Sequence, residues 1–519
     1  MARLTRDGAG AASAFQGAAA AWACRGAAGA AAVLLAVALA ALPGAARGEE
    51  ATADEQAATG RTDAAAALPA GARVTTLAEL AWPATTRSAV ARGATYVWAA
   101  PSRKVRLGRL ARGTRIAVDV IAATGAAPAA AKRGGRRARP ARTTACWAWL
   151  RIDPAGWVCS GEVTPSDEPP APATRNAAPT TGYVTVGPRG ARAYASLDDA
   201  ASQHAAAAGH AAAHDAASLH ATADTAAGPH ATHAAAAAAE LAPGTPLTTT
   251  ASQLAADGVR YHATDRGWIA TTELRWQAPS PFVGLAIDAA PAWPFAWTLG
   301  RRGSTIRVHR TPGGAKIDRL PRRTVVPVLE RRRGWVRIGV DAWVRAEQVG
   351  VAALAPRPTG VGADERWLDV DLDQQVLVSY EGDRPVFATL VSTGKEKAYR
   401  TPLGTFRLGR KQASARMRSP EGARQDWDVE NVPWVMHFKK LFALHGAHWH
   451  DAYGRKVSHG CVNMSPRDAG HLFGWTDPVV PAGWADIEGG AGTVIRIRSR
   501  ARPDPPWRDF EGDVIAPPR

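Results

Sequence analysis

One repeated phrase constrains this chain more than any other feature. Trp149-Leu150-Arg151-Ile152, four residues, then Trp157-Val158 recurs as Trp335-Val336-Arg337-Ile338, four residues, then Trp343-Val344. Comparable leads precede the copies, Arg109-Leu110-Ala111-Arg112-Gly113-Thr114 and Arg319-Leu320-Pro321-Arg322-Arg323-Thr324. A weaker third copy lies between them, with Pro243-Gly244-Thr245 and Gly267-Trp268-Ile269. A short alternating run, a turn and a second Trp-Val run is the pattern of a hairpin, not of a helix. The repeat therefore predicts small β units in series, with the tryptophans in their cores. A length of 519 residues leaves room for several such units and one larger domain.

These segments resemble bacterial SH3-like domains, over 90–165, 183–277 and 300–350. The resemblance implies small barrels that hold glycan or wall peptide. The expected organisation starts with a signal peptide or N-terminal anchor at 1–47 and a linker at 48–77. SH3-like units follow at 78–170, 171–280 and 281–355, then a catalytic domain at 361–499 and a tail at 500–519. The middle unit carries an Ala- and His-rich insert from about Ala200 to Ala239, with six of the chain's 14 histidines, His204 to His233. Their irregular spacing forms no recognised ligand set, so a low-complexity loop is the simpler reading.

Arg3, Arg6 and Arg25 precede an uncharged run from Ala27 to Leu42, and small residues follow. This is the form of a secretory signal, and the run is shorter than the ~20 residues of a spanning helix. Export to the periplasm or cell envelope is expected, with membrane contact only through an uncleaved N-terminus. Cysteine usage agrees. Cys24 leaves with the signal, Cys146 and Cys159 are close enough to pair in an oxidising compartment, and Cys461 remains as the odd thiol. Lys and Arg total 63 against 46 Asp and Glu, a net charge of +17, which favours anionic partners without choosing among them. The Arg-rich stretch at 132–142 would suit nucleic acid, but export conflicts with that partner.

From Val361 the texture changes. Leu368, Val370 and Leu372 alternate with Asp369, Asp371 and Asp373, which predicts a half-buried strand. Further strands are predicted over Val376–Tyr380, Val386–Val391 and Thr493–Ile497. Ser465, Pro466 and Asp468 mark a helix start. The stretch that carries chemistry is His445-Gly446, eleven residues on, then Ser458-His459-Gly460-Cys461-Val462-Asn463. Together with Thr401-Pro402-Leu403-Gly404-Thr405-Phe406, it resembles the signature of the YkuD-type L,D-transpeptidase catalytic domain. The expected fold class is mainly β, SH3-like barrels followed by a YkuD-type β-sandwich with one or a few short helices.

Acyl transfer needs a nucleophile, a base and donors for an oxyanion. Cys461 supplies the sulfur, which attacks as thiolate. The resemblance assigns the base to His445 and places His459 in the site. Gly460 permits close backbone approach, and the N–H groups of Gly460 and Cys461 are the expected oxyanion donors. Ser458 would bond within the loop, Asn463 would hold the loop or touch substrate, and the carbonyl of Gly446 would orient His445. Trp434, Met436 and Trp449 are groove candidates, with core packing as the competing role.

The resemblance implies attack on a peptidoglycan stem tetrapeptide, loss of D-Ala, and transfer to an amine, giving a 3→3 cross-link or protein attachment. No cofactor and no metal is expected. A zinc cluster of His445, His448 and His450 is the other reading of that loop, but it lacks a His-Glu-x-x-His form. L,D-carboxypeptidase activity on the same bond and a non-catalytic wall-binding scaffold are the alternative functions.

Overall fold

One alternating run and two further β runs open the catalytic domain, and all three form strands where expected. In the computed structural model these are β1 (Arg366–Asp371), β2 (Val376–Glu381) and β3 (Arg384–Leu390). They are joined by β4 (Gly404–Arg407), β5 (Arg410–Arg418), β6 (Asp428–Lys439), β7 (Phe442–Gly446), β8 (Val462–Met464), α1 (Pro466–Trp475), β9 (Trp484–Glu488) and β10 (Val494–Arg498). The structure describes residues 72–518 except 94, 119, 125–145, 172–181, 204–238, 265, 290–291, 396–398, 420 and 423–426. The expected leader, the Arg-rich stretch and the histidines of the insert lie outside these residues.

One sheet runs Leu285–Ala286, β3, β2, β1, β10, β4, with β1 and β10 parallel and the other pairs antiparallel. The other catalytic sheet runs β9, β5, β6, β7, β8. Between them Leu368, Val370, Leu377 and Phe406 meet Met436, Phe438, Leu444, Val462 and Met464. Ala469, Leu472 and Phe473 of α1 close the same core. This is a mainly β chain in which these two sheets pack as a β-sandwich. Ser465 caps α1 as expected, its Oγ accepting the Asp468 N–H at 3.1 Å, with Pro466 in the first turn.

The preceding segments are small antiparallel β units. Cys146 and Cys159 form a disulfide with Cα atoms 5.8 Å apart. The first unit is continuous with the catalytic domain through hydrogen bonds. Its strand Arg106–Leu110 pairs antiparallel with β9, so one sheet of eleven strands crosses both. Ion pairs from Arg109 to Asp486 and Arg106 to Glu488 lie along that seam. The tail after Arg498 packs. Thr405 N–H donates to the Pro506 carbonyl, Arg508 N–H to that of Thr405, and Trp507 is buried.

The half-buried reading of β1 needs correcting. Asp369 is 1% exposed, because Phe295, Trp297 and Ala352 of the third unit and Trp367, Val378 and Tyr380 build a second core on the sheet's other face. A carboxylate survives there because Arg496 Nε donates to it at 2.7 Å and Arg498 Nε at 2.9 Å. Lys411 is likewise fully buried. Its Nζ donates to the carbonyls of Phe473 and Thr476 at 2.7 and 2.6 Å, filling orphan acceptors at the end of α1.

Candidate active site

β7 and β8 pair in parallel, with His445 opposite Asn463 and Leu444 opposite Val462. Leu444 and Val462 are locked in the core, so the register beside them is fixed. That pairing carries His445 to the strand that Cys461 immediately precedes. His445 is buried, and its Nδ1 lies 3.1 Å from the Gly446 carbonyl. A carbonyl only accepts, so Nδ1 carries the proton and Nε2 keeps its lone pair, the form a general base requires.

Cys461 is a free, half-buried thiol. Burial pushes it up to about 11, against the opposing pull of the Ala443 backbone. Burial pushes His445 down to about 4. Both groups therefore rest neutral at pH 7.

The loop before the thiol is tightly bonded. Ser458 Oγ accepts the Gly460 N–H at 3.1 Å and donates to the Cys461 carbonyl at 2.6 Å. Of the two expected oxyanion donors, that of Gly460 is thus engaged by Ser458 in this state. Gly460 has φ +125°, and a Cβ there would lie 2.7 Å from Phe442 Cε1, so no other residue fits. Thr401 Oγ1 donates to the Gly460 carbonyl at 2.8 Å and accepts the Gly394 N–H at 2.9 Å. The upstream Thr-Pro block thereby reaches the cysteine loop.

His459 stands between two aromatic rings, edge-on to Tyr399 at 4.8 Å and stacked on Trp427 at 5.7 Å. Burial lowers its pKa, and the Lys395 charge adds to that. Asn463 Nδ2 lies 3.0 Å from His450 Nε2, so its amide holds the loop. The Trp449 ring lies 5.8 Å from that of His445. Gly446 is buried against Pro433 and Pro466. Met436 is fully buried and packs the core, the competing role named for it above. Trp434 also packs on that core, its ring 5.1 Å from Phe473 of α1.

The loop from Ala447 to Lys456 is pinned by two preceding units. Tyr183 of the second unit stacks on His448 at 3.9 Å and 13°. Arg322 and Arg323 of the third unit both pair with Asp451. Burial raises the Asp451 carboxyl, but hydrogen bonds from Arg322, Ser280 and Arg323 outweigh it and hold the pKa low. Inside the loop Tyr453 Oη donates to the Ala447 carbonyl at 2.6 Å. His445, His448 and His450 are committed in three directions, and no group of three metal-ligating side chains converges among the described residues. Among those residues no helix is long and apolar enough to cross a membrane.

Tyr183, Tyr399, Trp427 and the Arg322/Arg323 pair were not readable as site residues. Arg322 and Asp451 are 129 positions apart, and no local pattern links such partners. The hydrogen bond of Thr401 to Gly460 was not signalled; the family resemblance marked only the block in which Thr401 stands.

Residues 365–497 match the family model of the L,D-transpeptidase catalytic domain, YkuD. No curated protein matches the chain. Among solved structures, a mutant L,D-transpeptidase of Enterococcus faecium is 23% identical, covering 26% of this chain and 50% of that one, with a TM-score of 0.21. An L,D-transpeptidase of Xylanimonas cellulosilytica is 22% identical over 27% of this chain and 64% of that one, TM-score 0.20. One from Mycobacterium smegmatis is 18% identical over 43% of this chain and 89% of that one, TM-score 0.22. The chain thus spans half the length of the first and under two thirds of the second. Residues 365–497 carry a YkuD-type L,D-transpeptidase catalytic domain.

Proposed function

We propose that the chain is a peptidoglycan L,D-transpeptidase with Cys461 as nucleophile. The observation that carries the reading is the β7–β8 register, which sets His445, with its Nε2 lone pair free of the proton, opposite Asn463, two residues beyond Cys461. Substrate entry displaces water, and His445 Nε2 takes the thiol proton as Sγ attacks the carbonyl before the terminal D-Ala of a stem tetrapeptide. The C–N bond breaks, the proton passes to the departing amine, and a thioester remains. An amine of a second stem then attacks, His445 takes its proton, and the thiol is restored as the new amide forms. The Cys461 N–H, with that of Gly460 once released from Ser458, faces the developing oxyanion; one such donor is worth ~10²–10³ in rate.

His459, Tyr399 and Trp427 form the wall against which the acyl donor lies, and Trp449 forms the side next to the base. The preceding units are SH3-like barrels that hold wall glycan or peptide and raise local substrate concentration. The chain works outside the cytoplasm, where the Cys146–Cys159 disulfide persists.

The test is incubation of the full chain with disaccharide-tetrapeptide and mass analysis of products beside Cys461→Ala. A dimer lighter than two substrates by one D-Ala, absent from the variant, is the expected result. Tripeptide alone would make the protein a carboxypeptidase. Neither product, with no carbapenem adduct on Cys461, would favour the scaffold reading.

A further inference from the structure

The third unit contains a five-stranded sheet in the order Lys316–Pro321, Thr305–His309, Ala342–Arg345, Trp335–Gly339, Glu330–Arg332. One face is apolar core, built from Ile306, Val308, Val336 and Val344. Strand alternation turns the intervening residues to the opposite face. There Arg307 stands opposite Arg319, and Arg337 opposite Glu330. Trp335 stands opposite Arg345 on one side and Arg332 on the other. The face thus presents five arginines, Arg307, Arg319, Arg332, Arg337 and Arg345, to one carboxylate.

Two features of this arrangement work against the unit's own stability. Like charges directly opposite on neighbouring strands destabilise a sheet, and Arg307 with Arg319 is such a pair. Among the described residues only Arg337 of the five has an ion pair, to Glu330 at 3.5 Å. The Arg345 guanidinium is laid over the Trp335 ring at 4.9 Å, which orders a cation without neutralising it. A sheet that served only as a spacer would gain from a carboxylate at either of the first two positions.

The outermost arginines, Arg319 and Arg332, are separated by four inter-strand steps, about 19 Å at the usual strand spacing. A small anion would meet one or two of the five. A flexible chain with a negative charge at each repeat would meet them all. We propose that this face docks a phosphodiester-linked polyol polymer of the cell wall, holding the catalytic domain at its substrate. The choice of polymer rests on the wall function proposed above, whereas the polyanion chemistry rests on the sheet alone.

The test uses the full chain and poly(glycerol phosphate), with binding measured at 50 and 200 mM salt. Four phosphate contacts predict about a 50-fold loss over that range at the single-strand slope. Arg307→Glu with Arg319→Glu is expected to weaken binding at least about tenfold. Reversal of two exposed arginines elsewhere, Arg112→Glu with Arg260→Glu, changes net charge equally and is expected to weaken it less than about threefold. Arg319→Glu alone replaces a repulsive cross-strand pair by an attractive one, so it should weaken binding with no fall in Tm, separating docking from folding. Equal losses from the two double variants would overturn the site. So would tighter binding to duplex DNA or to phosphatidylglycerol vesicles than to the polymer. A failed transpeptidase assay leaves these results readable, since none of them depends on turnover.

Discussion

The catalytic domain and the third unit handle charge in opposite ways. In the catalytic domain Lys411, Asp369 and Arg496 are buried, and each finds partners inside the sandwich. In the third unit Arg307, Arg319, Arg332 and Arg345 face water with no acidic partner among the described residues. A buried charge without partners costs several kcal/mol, so the sandwich admits only charges that complete its hydrogen bonding. An exposed one costs little, so the open sheet can carry a surplus that serves something outside the chain. The half-buried Cys461 and the buried His445 follow the sandwich's rule by resting neutral, the thiol pushed up to about 11 and the imidazole down to about 4.

The largest expected effect tests the neutral pair itself. Cys461→Ala should remove at least ~10³ of the transfer rate with folding intact, and His445→Ala ~10²–10⁴. Iodoacetamide trapping of Cys461 should be slow at pH 7 and accelerate towards pH 11, where the buried thiol ionises. Rapid trapping at pH 6 would show a thiolate–imidazolium pair and break the comparison.

Next comes Lys411. Lys411→Met leaves the Phe473 and Thr476 carbonyls unsatisfied, an expected loss of ~1–3 kcal/mol by urea unfolding at pH 7. Burial lowers its pKa from 10.5 to about 7. Between those values the unfolded chain binds more protons than the folded one, so this lysine makes stability rise with pH. Below about 7 both forms are protonated and the contribution is lost. The methionine variant should show a flatter profile from pH 7 to 9.

The clamp on the loop after His445 is worth less. Asp451→Asn removes the charge that Arg322 and Arg323 grip, and a loosened loop should lower kcat about tenfold with little change in KM. An equal rise in KM would point to lost substrate contact instead of lost positioning.

The last effect is expected at His448, whose two ring nitrogens are buried against Tyr183 without hydrogen-bond partners among the described residues. His448→Phe keeps the stack and removes a group whose pKa burial lowers to about 3. Its folded value lies below the unfolded 6.5, so the wild-type histidine contributes stability that is lost as pH falls from 6.5. The variant should be at least as stable as wild type at pH 8, and its advantage in urea midpoint should widen at pH 5.

Local chemistry was legible in the sequence and distant partnership was not. The strands over Thr95–Trp98, β2 and β3 follow from short β-branched and aromatic runs bounded by turns, and α1 from Ser465 and Pro466. The Cys461 loop was legible because its glycine, serine and histidine stand together. Asp369 was misjudged because its partner Arg496 is 127 positions away, and alternation alone says nothing about what covers the second face. The pairing of Arg106–Leu110 with β9 was hidden for the same reason, since an edge strand does not announce which strand completes it. Sequence alone left Met436 open between groove and core, because a core methionine and a groove methionine have the same sequence surroundings.

The most direct test of the account is the intact mass of the full chain, quenched in acid during turnover with a stem tetrapeptide. The account predicts a covalent tripeptidyl adduct, the tetrapeptide less D-Ala, located on Cys461 by peptide mapping and absent from Cys461→Ala. Product formation with no adduct at any quench time, or an adduct on another residue, would contradict it.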